Sequence, residues 1–186
     1  MTAPELLTDR QRINDLSPTD APALYAYRSH EEVARFQGWI PASINDAQAF
    51  ITRNASTVYN HHDSWYQLAI RLQTTDDLIG DLGVHFIGDD GQQAEIGFTI
   101  APAHQRQGLG AEAVSALLNH LFTALNKHRV FASVDPRNPA SMALLKKVGM
   151  RQEAHFHQSL FWKGDWVDDV VFALLRSEWQ GAFDTK

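Results

Sequence analysis

The sequence predicts an α+β protein built around one mixed, mostly antiparallel central sheet that is flanked by helices. Three strand-like segments follow one another at 65–72, 78–86 and 93–100, and short polar turns join them, which is typical of an antiparallel meander. A glycine-rich loop and a strongly amphipathic helix come next, ahead of a buried strand at 130–134. Helices and strands that share one sheet in this way indicate the α+β class.

The other elements are predicted from their boundary signals. Residues Leu6 to Ile13 form a short strand, and "SPTD" then opens a helix with Ser17 as N-cap and Pro18 at its first position. A short helical piece follows near 31–36, and "SIND" at 43–46 is a capping box for another helix. After the strand at 130–134, Asn138 caps a helix that Gly149 ends, and residues 153–175 form a hairpin around "KGDW". The order β, α, α, three antiparallel β, α, β, α, two β indicates one domain over residues 1–186.

Composition excludes several classes of protein. The 186 residues include no cysteine, which excludes disulfides, cysteine nucleophiles and cysteine-based zinc sites. The net charge of −6 with scattered basic residues argues against nucleic acid as a partner and suits a cationic amine better. The N-terminus lacks a signal-peptide pattern, and no run of about 18 apolar residues is present. We therefore expect a cytoplasmic protein with no membrane partner.

The stretch "HQRQGLGAEAV" at 104–114 is a candidate anion site. Amides at a helix N-terminus are unpaired and the helix dipole favours negative charge there, while Gly108 and Gly110 lack a Cβ that would keep an anion away. An ordinary glycine turn explains the stretch equally well. A Walker loop does not, because Ala111 and Glu112 stand where lysine and a hydroxyl residue are needed.

A dinucleotide-binding fold is a weaker alternative for the same loop. "GLGAEA" fits the glycine fingerprint, and Asp135 ends the next strand where a ribose-binding acid would lie. However, seven residues separate Ile100 from Gly108, and no second βαβ half follows. An NAD-dependent oxidoreductase therefore stays only as an alternative.

Beyond this loop the chain resembles the GNAT superfamily of acyl-CoA-dependent N-acetyltransferases. The family loop Arg/Gln-x-x-Gly-x-Gly/Ala is matched by Gln105, Gly108 and Gly110, and "VDPRNPASMALLKKVGM" is similar to the family's next strand and helix. "FWKGDWVDDVVFALLRSEW" is similar to the C-terminal hairpin of the Rim-type ribosomal-protein N-acetyltransferases. The resemblance implies the GNAT fold, acetyl-CoA as cosubstrate and no metal. It implies CoA contacts from Ile100, Gln105, Arg106, Gln107, Gly108, Leu109, Gly110, Asn138 and Ser141.

Transfer of acetyl to an amine calls for a base, because an alkyl ammonium with a pKa near 10 cannot attack. Glu95 is the one charged residue of "AEIGFTI", and the family often has a carboxylate base on this strand. The plain alternative is an exposed carboxylate paired with an arginine. His85, on the preceding strand, is the reserve base, unless it is simply a buried, hydrogen-bonded histidine.

The segment after Asp135 contains the candidate residues for contact with the CoA arm and for protonation of the leaving thiolate. In the Rim-type branch the asparagine matching Asn138 touches the CoA arm, and the serine matching Ser141 is a candidate proton donor to sulfur. Both residues are also explained as an ordinary helix start. Many other GNAT members have a tyrosine that acts as the general acid seven residues after that asparagine, where this chain has Leu145. A non-catalytic CoA-binding module therefore stays as an alternative.

The predicted function is an acetyl-CoA-dependent N-acetyltransferase that acts on a primary amine, such as the N-terminus of a ribosomal protein, or alternatively on an antibiotic or polyamine. The tryptophans at 39, 65, 162 and 166 are candidate walls of an acceptor pocket, although core positions explain them too. The basic residues Arg106, Arg137, Lys146 and Lys147 are candidates for the CoA 3′-phosphate. The histidine pairs 61–62 and 155/157 have no third ligand at metal-site spacing, so no metal is expected. The oligomeric state stays open, with a homodimer as one option.

Overall fold

The computed structural model describes residues 3–88 and 90–179, and these form one eight-stranded sheet with helices packed against it. The strands are β1 (Leu6–Leu7), β2 (Gln11–Asp15), β3 (Ser64–Leu72), β4 (Leu78–Ile87), β5 (Gln93–Ile100), β6 (Arg129–Val134), β7 (Arg151–Trp162) and β8 (Asp165–Leu175). The helices are α1 (Ala21–Arg28), α2 (Glu31–Ala34), α3 (Ile44–Ala55), α4 (Leu109–Asn119) and α5 (Pro139–Lys147). None of the described helices is long and apolar enough to cross a membrane.

The strands lie in the order β1-β2-β3-β4-β5-β6-β8-β7. Among the described residues every neighbouring pair is antiparallel except β5 and β6, which run parallel. That parallel pairing covers only Gln93 with Arg129, Ala94 with Val130 and Glu95 with Phe131. Beyond Glu95 the two strands separate, while β5 continues to Ile100 beside β4. The sheet is therefore split between β5 and β6.

The main core lies between the sheet and α4. The face predicted from the 3.6-residue period is buried at Val114, Leu117, Leu118, Leu121 and Phe122, and Leu125 packs against it. After Asn119 the helix widens into a π-helical turn over His120–Ala124, which keeps the last residues of this stripe on the sheet. The strand predicted to be buried at 130–134 instead alternates, because Ser133 is exposed between Ala132 and Val134.

The N-terminus differs from the prediction. The single strand expected from Leu6 to Ile13 is a hairpin, with β1 pairing to β2 through Leu6 with Ile13 and Leu7 with Arg12. The turn between them is closed by the Thr8 N–H, which donates to the Gln11 carbonyl at 3.0 Å. Polar residues at 8–10 turn the chain, and the apolar residues on both sides concealed that turn in the sequence.

Two further predictions are refined by the structure. At 43–46 the Ser43 hydroxyl accepts from the Asp46 N–H at 3.2 Å, but the Asp46 carboxylate accepts from the Ala42 N–H rather than completing a capping box with Ser43. In the predicted turn at 87–91, Asp89 lies outside the described residues.

Candidate active site

A cavity of about 660 Å³ opens where β5 and β6 separate. We call it the cleft. Its walls come from both separating strands, from the start of α5, from the loop after α2 and from the β7–β8 hairpin. Beyond Glu95 the edge of β5 that faces β6 has no ladder partner on that strand. Backbone N–H and C=O groups require hydrogen-bond partners, so this edge can pair with an extended ligand that carries amides.

Glu95 lies at the point where the parallel pairing ends, and it lines the cleft. It stands opposite His85 on β4, with Glu95 Oε2 and His85 Nδ1 3.6 Å apart. The partner of Glu95 is therefore a histidine, and not the arginine that the alternative interpretation expected. His85 in turn stacks on Trp65, with ring centroids 4.9 Å apart and planes 13° apart.

Burial raises the pKa of the Glu95 carboxyl above its ordinary value of 4.5. His85 opposes this shift and the negative charge of Asp169 adds to it, but desolvation is the largest cause. His85 lies 3.6 Å from the carboxylate, and it lowers the pKa of Glu95 by polar contact and by charge together. A carboxylate with a raised pKa is a stronger base than an exposed one.

The glycine-rich loop lies directly before α4. Gln105 ties it to the end of β5, because its Nε2 donates to the Ile100 carbonyl at 2.9 Å. Gly108 is the N-cap of α4 with φ +79°, in the left-handed region that favours glycine. The amides at the start of α4 lack acceptors within the helix.

Gly110 also lies at a closely packed point, a feature that the sequence did not predict. It is buried, and a Cβ there would lie 2.8 Å from Leu144 Cδ1 and 3.3 Å from Ile100 Cγ1. This glycine lets α4, α5 and the end of β5 pack closely.

Arg10 was missed in the sequence analysis. Its Nη1 donates to the Gln107 carbonyl at 2.9 Å, and its Nη2 pairs with Glu112 Oε2 at 2.5 Å. The guanidinium therefore braces the loop from the β1–β2 hairpin. Gln107 also donates to the Ala103 carbonyl at 3.0 Å, while Arg106 is exposed with φ +60°. Nothing in the spacing of the sequence connects residue 10 to this loop.

Asn138 and Ser141 both line the cleft at the start of α5. The Asn138 side chain caps the helix by accepting from the Ser141 N–H at 3.1 Å, as predicted. Leu145 is fully buried in the core one turn later, so its side chain points away from the cleft. The nearby Arg137 pairs with Asp135 at 2.5 Å and is half exposed.

Aromatic side chains form the opposite wall. Trp39 lines the cleft and stacks on Phe50, with centroids 4.4 Å apart, and Trp65 and Trp162 line it as well. Trp166 does not; it is exposed and contacts Phe161 edge-on at 5.5 Å. Three of the four tryptophans proposed from the sequence therefore reach the cleft.

Carboxylates outnumber cations along the described lining of the cleft. Arg28 is the single lining cation, and it is bound to buried Asp81 at 2.5 Å. The lining carboxylates are those of Asp81, Glu95, Asp135, Asp168 and Asp169. The sequence analysis singled out Glu95, named Asp135 only for the dinucleotide alternative, and missed Asp81, Asp168 and Asp169. A lone aspartate within the apolar strand 78–86 was the signal that could have identified Asp81.

A family model described as an Acetyltransferase (GNAT) domain matches residues 10–151, which include the loop, Glu95 and α5. The chain belongs to the GNAT acetyltransferase family. The YnaD N-acetyltransferase of Bacillus subtilis is 30% identical over 178 residues, covering 94% of this chain and 98% of that relative. A GNAT-family acetyltransferase structure from Bacillus anthracis shares the fold with a TM-score of 0.85 at 23% identity, covering 94% of this chain and all of that one.

Two other GNAT relatives have named acceptors. The spermidine N(1)-acetyltransferase of Vibrio cholerae is 27% identical over 124 residues, which are 66% of this chain and 72% of that relative. The ribosomal protein uS5-alanine N-acetyltransferase of Escherichia coli is 31% identical over 84 residues, which are 45% and 43% of the two chains. The chain is thus an acetyl-CoA-dependent N-acetyltransferase of the GNAT family, rather than an NAD-dependent oxidoreductase.

The residues of this GNAT chain fit acetyl-CoA at two points. The start of α4 offers unpaired amides beside the left-handed Gly108, which suits a pyrophosphate. The open edge of β5 suits the amides of the pantetheine arm. Arg106 and Lys147 are exposed near this end of the fold, whereas Lys146 lies 6.0 Å from the ring centre of Phe172. Contacts of individual residues with CoA stay predictions.

The β7–β8 hairpin of this GNAT chain brings two histidines and a carboxylate together. His155 and His157 lie on one face of β7, as predicted, and both rings contact Asp168 Oδ2, at 2.7 Å from Nε2 of the first and 3.1 Å from Nδ1 of the second. The Gln158 N–H and the two imidazoles lower the pKa of Asp168 to about 2. The sequence analysis found no third group here, because Asp168 comes from the facing strand.

Proposed function

We propose that this acetyltransferase moves the acetyl group from acetyl-CoA directly to a primary amine in the cleft, with Glu95 as the general base. The observation that carries this proposal is the position of Glu95 where β5 and β6 separate, buried enough to raise its pKa. The Glu95 carboxylate lies beside the open edge of β5, along which the pantetheine arm would extend. The acceptor reaches the same carboxylate from the aromatic side of the cleft.

Different residues along the cleft bind the cosubstrate and transfer protons. The loop from Gln105 to Gly110 and the start of α4 hold the pyrophosphate, and Arg10 keeps the loop in place. Acetyl-CoA supplies an activated thioester carbonyl. Glu95 takes a proton from the attacking ammonium, directly or through one water, so that the neutral amine forms the new C–N bond. The C–S bond then breaks, and Ser141 is the candidate that donates a proton to sulfur while it receives the second proton that the acylated nitrogen releases.

The acceptor that we propose is the N-terminal amine of a protein, such as a ribosomal protein. Partial support comes from the uS5-alanine N-acetyltransferase relative, although it aligns with less than half of this chain. The surplus of carboxylates and the tryptophan walls favour a second candidate, a small polyamine, because both attract an ammonium group. The spermidine N(1)-acetyltransferase relative supports that candidate.

Isotope-labelled acetyl-CoA added to a cell extract, followed by separation by size, tests both acceptors. We expect label in a polypeptide, whose N-terminus mass spectrometry then identifies. Label confined to the small-molecule fraction supports the polyamine candidate and overturns the protein acceptor. CoA binding without label in either fraction would make the chain a non-catalytic module. We also propose that residues 1–186 act as one domain, since β1 to β8 share one sheet.

A further inference from the structure

His155, His157 and Asp168 form a three-residue group that the acetyl transfer does not use. Their donor atoms, His155 Nε2, His157 Nδ1 and Asp168 Oδ2, lie within 4.8 Å of one another. Two imidazoles and one carboxylate are a donor set that divalent transition metals prefer. Within residues 3–88 and 90–179 this is the one set of three His, Cys, Asp or Glu residues with such spacing.

The hairpin orients the carboxylate before any ion arrives. The Gln158 N–H donates to Asp168 Oδ1 at 2.9 Å, which leaves Oδ2 directed at the two rings. Gln158 has φ +45°, and the ladder between β7 and β8 is irregular from Phe156 to Leu160. This local break lets the chain at 158 bend toward Asp168. Such backbone support of a ligating carboxylate is the outer-shell arrangement that metal sites require.

The distances are close to those of a bound ion. Zinc bonds of about 2.0–2.1 Å in a tetrahedron separate neighbouring donor atoms by about 3.3 Å. The two histidine nitrogens lie 2.7 and 3.1 Å from Oδ2, within a few tenths of an ångström of that separation, and all three donor atoms lie within 4.8 Å of one another. Both rings can adjust to the tetrahedral separation, since the His155 and His157 side chains are 38% and 79% exposed.

We propose that His155, His157 and Asp168 bind one divalent transition-metal ion of the zinc class at the rim of the cleft. His155 Nε2, His157 Nδ1 and Asp168 Oδ2 are the three protein ligands. The remaining coordination position is open to water, because all three side chains reach solvent. Asp168 also lines the cleft, so the ion lies beside the route of the acceptor. The site is independent of the proposed acetyl transfer.

Titration of the full-length, tag-free protein with Co²⁺ tests this site, because tetrahedral or five-coordinate cobalt absorbs visible light strongly. We expect one saturable equivalent, displaced by Zn²⁺. His157→Ala, His155→Ala and Asp168→Asn should each weaken binding by on the order of tenfold or more, since each removes one ligand of three. The exposed ligands predict that these variants keep the circular dichroism of the parent.

The matched control is His61→Ala. His61 is also exposed, stacks on a neighbouring histidine at 4.8 Å and lies two residues from Asp63, but no three-residue group forms there within the described chain. Cobalt affinity of this variant should equal that of the parent. The proposal is overturned if binding does not saturate at one equivalent, or if His61→Ala weakens it as much as His157→Ala does. Acetyl transfer is measured separately, so its loss or retention leaves this test unaffected.

Discussion

The Glu95 carboxylate on β5 and the His85 imidazole on β4 stand directly opposite each other, with Oε2 and Nδ1 3.6 Å apart. Burial and His85 have opposite effects on the pKa of Glu95: burial raises it and His85 lowers it. Glu95 lines the cleft, whereas His85 stacks on Trp65 beside it. We therefore propose Glu95 as the base and His85 as the residue that tunes its pKa.

Replacing the base should slow the chemistry without loosening the fold. We expect Glu95→Gln to lower kcat by about 10²–10⁴, the usual contribution of a general base, and to leave the Kd for CoA within about twofold. Rate profiles of the parent should fall on the acid side with a midpoint above pH 4.5, the ordinary value for glutamate, and the variant should lack that limb. Equal kcat and equal pH profiles would remove Glu95 from the mechanism. Exposed Glu32→Gln is the control and should behave as the parent.

The same substitution has a predicted effect on stability. A carboxyl whose pKa is higher in the folded chain than in the unfolded chain stabilises the fold below the unfolded value, and this contribution is lost as pH rises through the folded value. At pH 8 the ionised Glu95 therefore costs stability. Glu95→Gln should have a Tm at pH 8 equal to or above that of the parent. A lower Tm would mean that Glu95 is a structural residue, and its loss of rate could then not be assigned to chemistry.

His85→Phe tests the tuning role while keeping a ring on Trp65. His85 lowers the pKa of Glu95, so its removal should raise that pKa further and move the acid limb of kcat/KM to higher pH. The rate at high pH should stay within a few-fold of the parent, because Glu95 is then ionised. Steady-state kinetics from pH 5 to 9 measure both quantities. Disappearance of the limb would instead identify His85 as the base.

Arg28 and Asp81 form a buried ion pair under the cleft, with side chains 8% and 0% exposed. Arg28→Met leaves the Asp81 charge without its cation, so we expect a loss of about 3–5 kcal/mol in the free energy of unfolding by urea. Adding Asp81→Asn should recover part of this loss. Arg151→Met, at an exposed pair with Glu178, is the control and should leave the urea midpoint close to that of the parent, because solvent screens exposed ion pairs. An Arg28→Met midpoint equally close to that of the parent would contradict the prediction.

Gly80→Ala, on β4, should destabilise the fold by about 1–3 kcal/mol, because its Cβ would overlap the Thr99 carbonyl oxygen, a backbone atom that cannot move aside cheaply. Gly97→Ala is the matched control: no atom lies within 4 Å of a Cβ there, so its stability should change by about 0.5 kcal/mol or less. Thermal unfolding of both variants measures the difference. Equal Tm values for the two variants would contradict the prediction.

Sequence patterns predicted the elements that are determined by interactions between residues close together in the chain. The 3.6-residue period identified the buried face of α4 from Val114 to Phe122, and the side chain of Asn138 predicted the start of α5. The turn at Thr8–Arg10 was missed because two short apolar stretches on either side of it read as one strand. Strand signals are weakest in elements as short as the two residues of β1.

Contacts between distant parts of the chain could not be predicted in this way. Arg10 meets the loop at Gln107, and Arg28 meets Asp81, only because the sheet brings together residues 97 and 53 positions apart. Asp168 joins His155 and His157 through an irregular ladder, whose register a sequence pattern does not specify. The grouping of five carboxylates around one cleft therefore became visible only in the fold.

The separation of β5 from β6 leaves the sheet joined across its middle by three residue pairs. A ligand that hydrogen-bonds to the open edge of β5 supplies hydrogen bonds that β6 does not make there. Binding restricted to the folded state stabilises it by mass action, by about 2.7 kcal/mol when the ligand is at 100 times its Kd. Acetyl-CoA bound along this edge should therefore act on the chain as a reversible clamp between the two halves of the sheet, and the melting temperature should rise with its concentration.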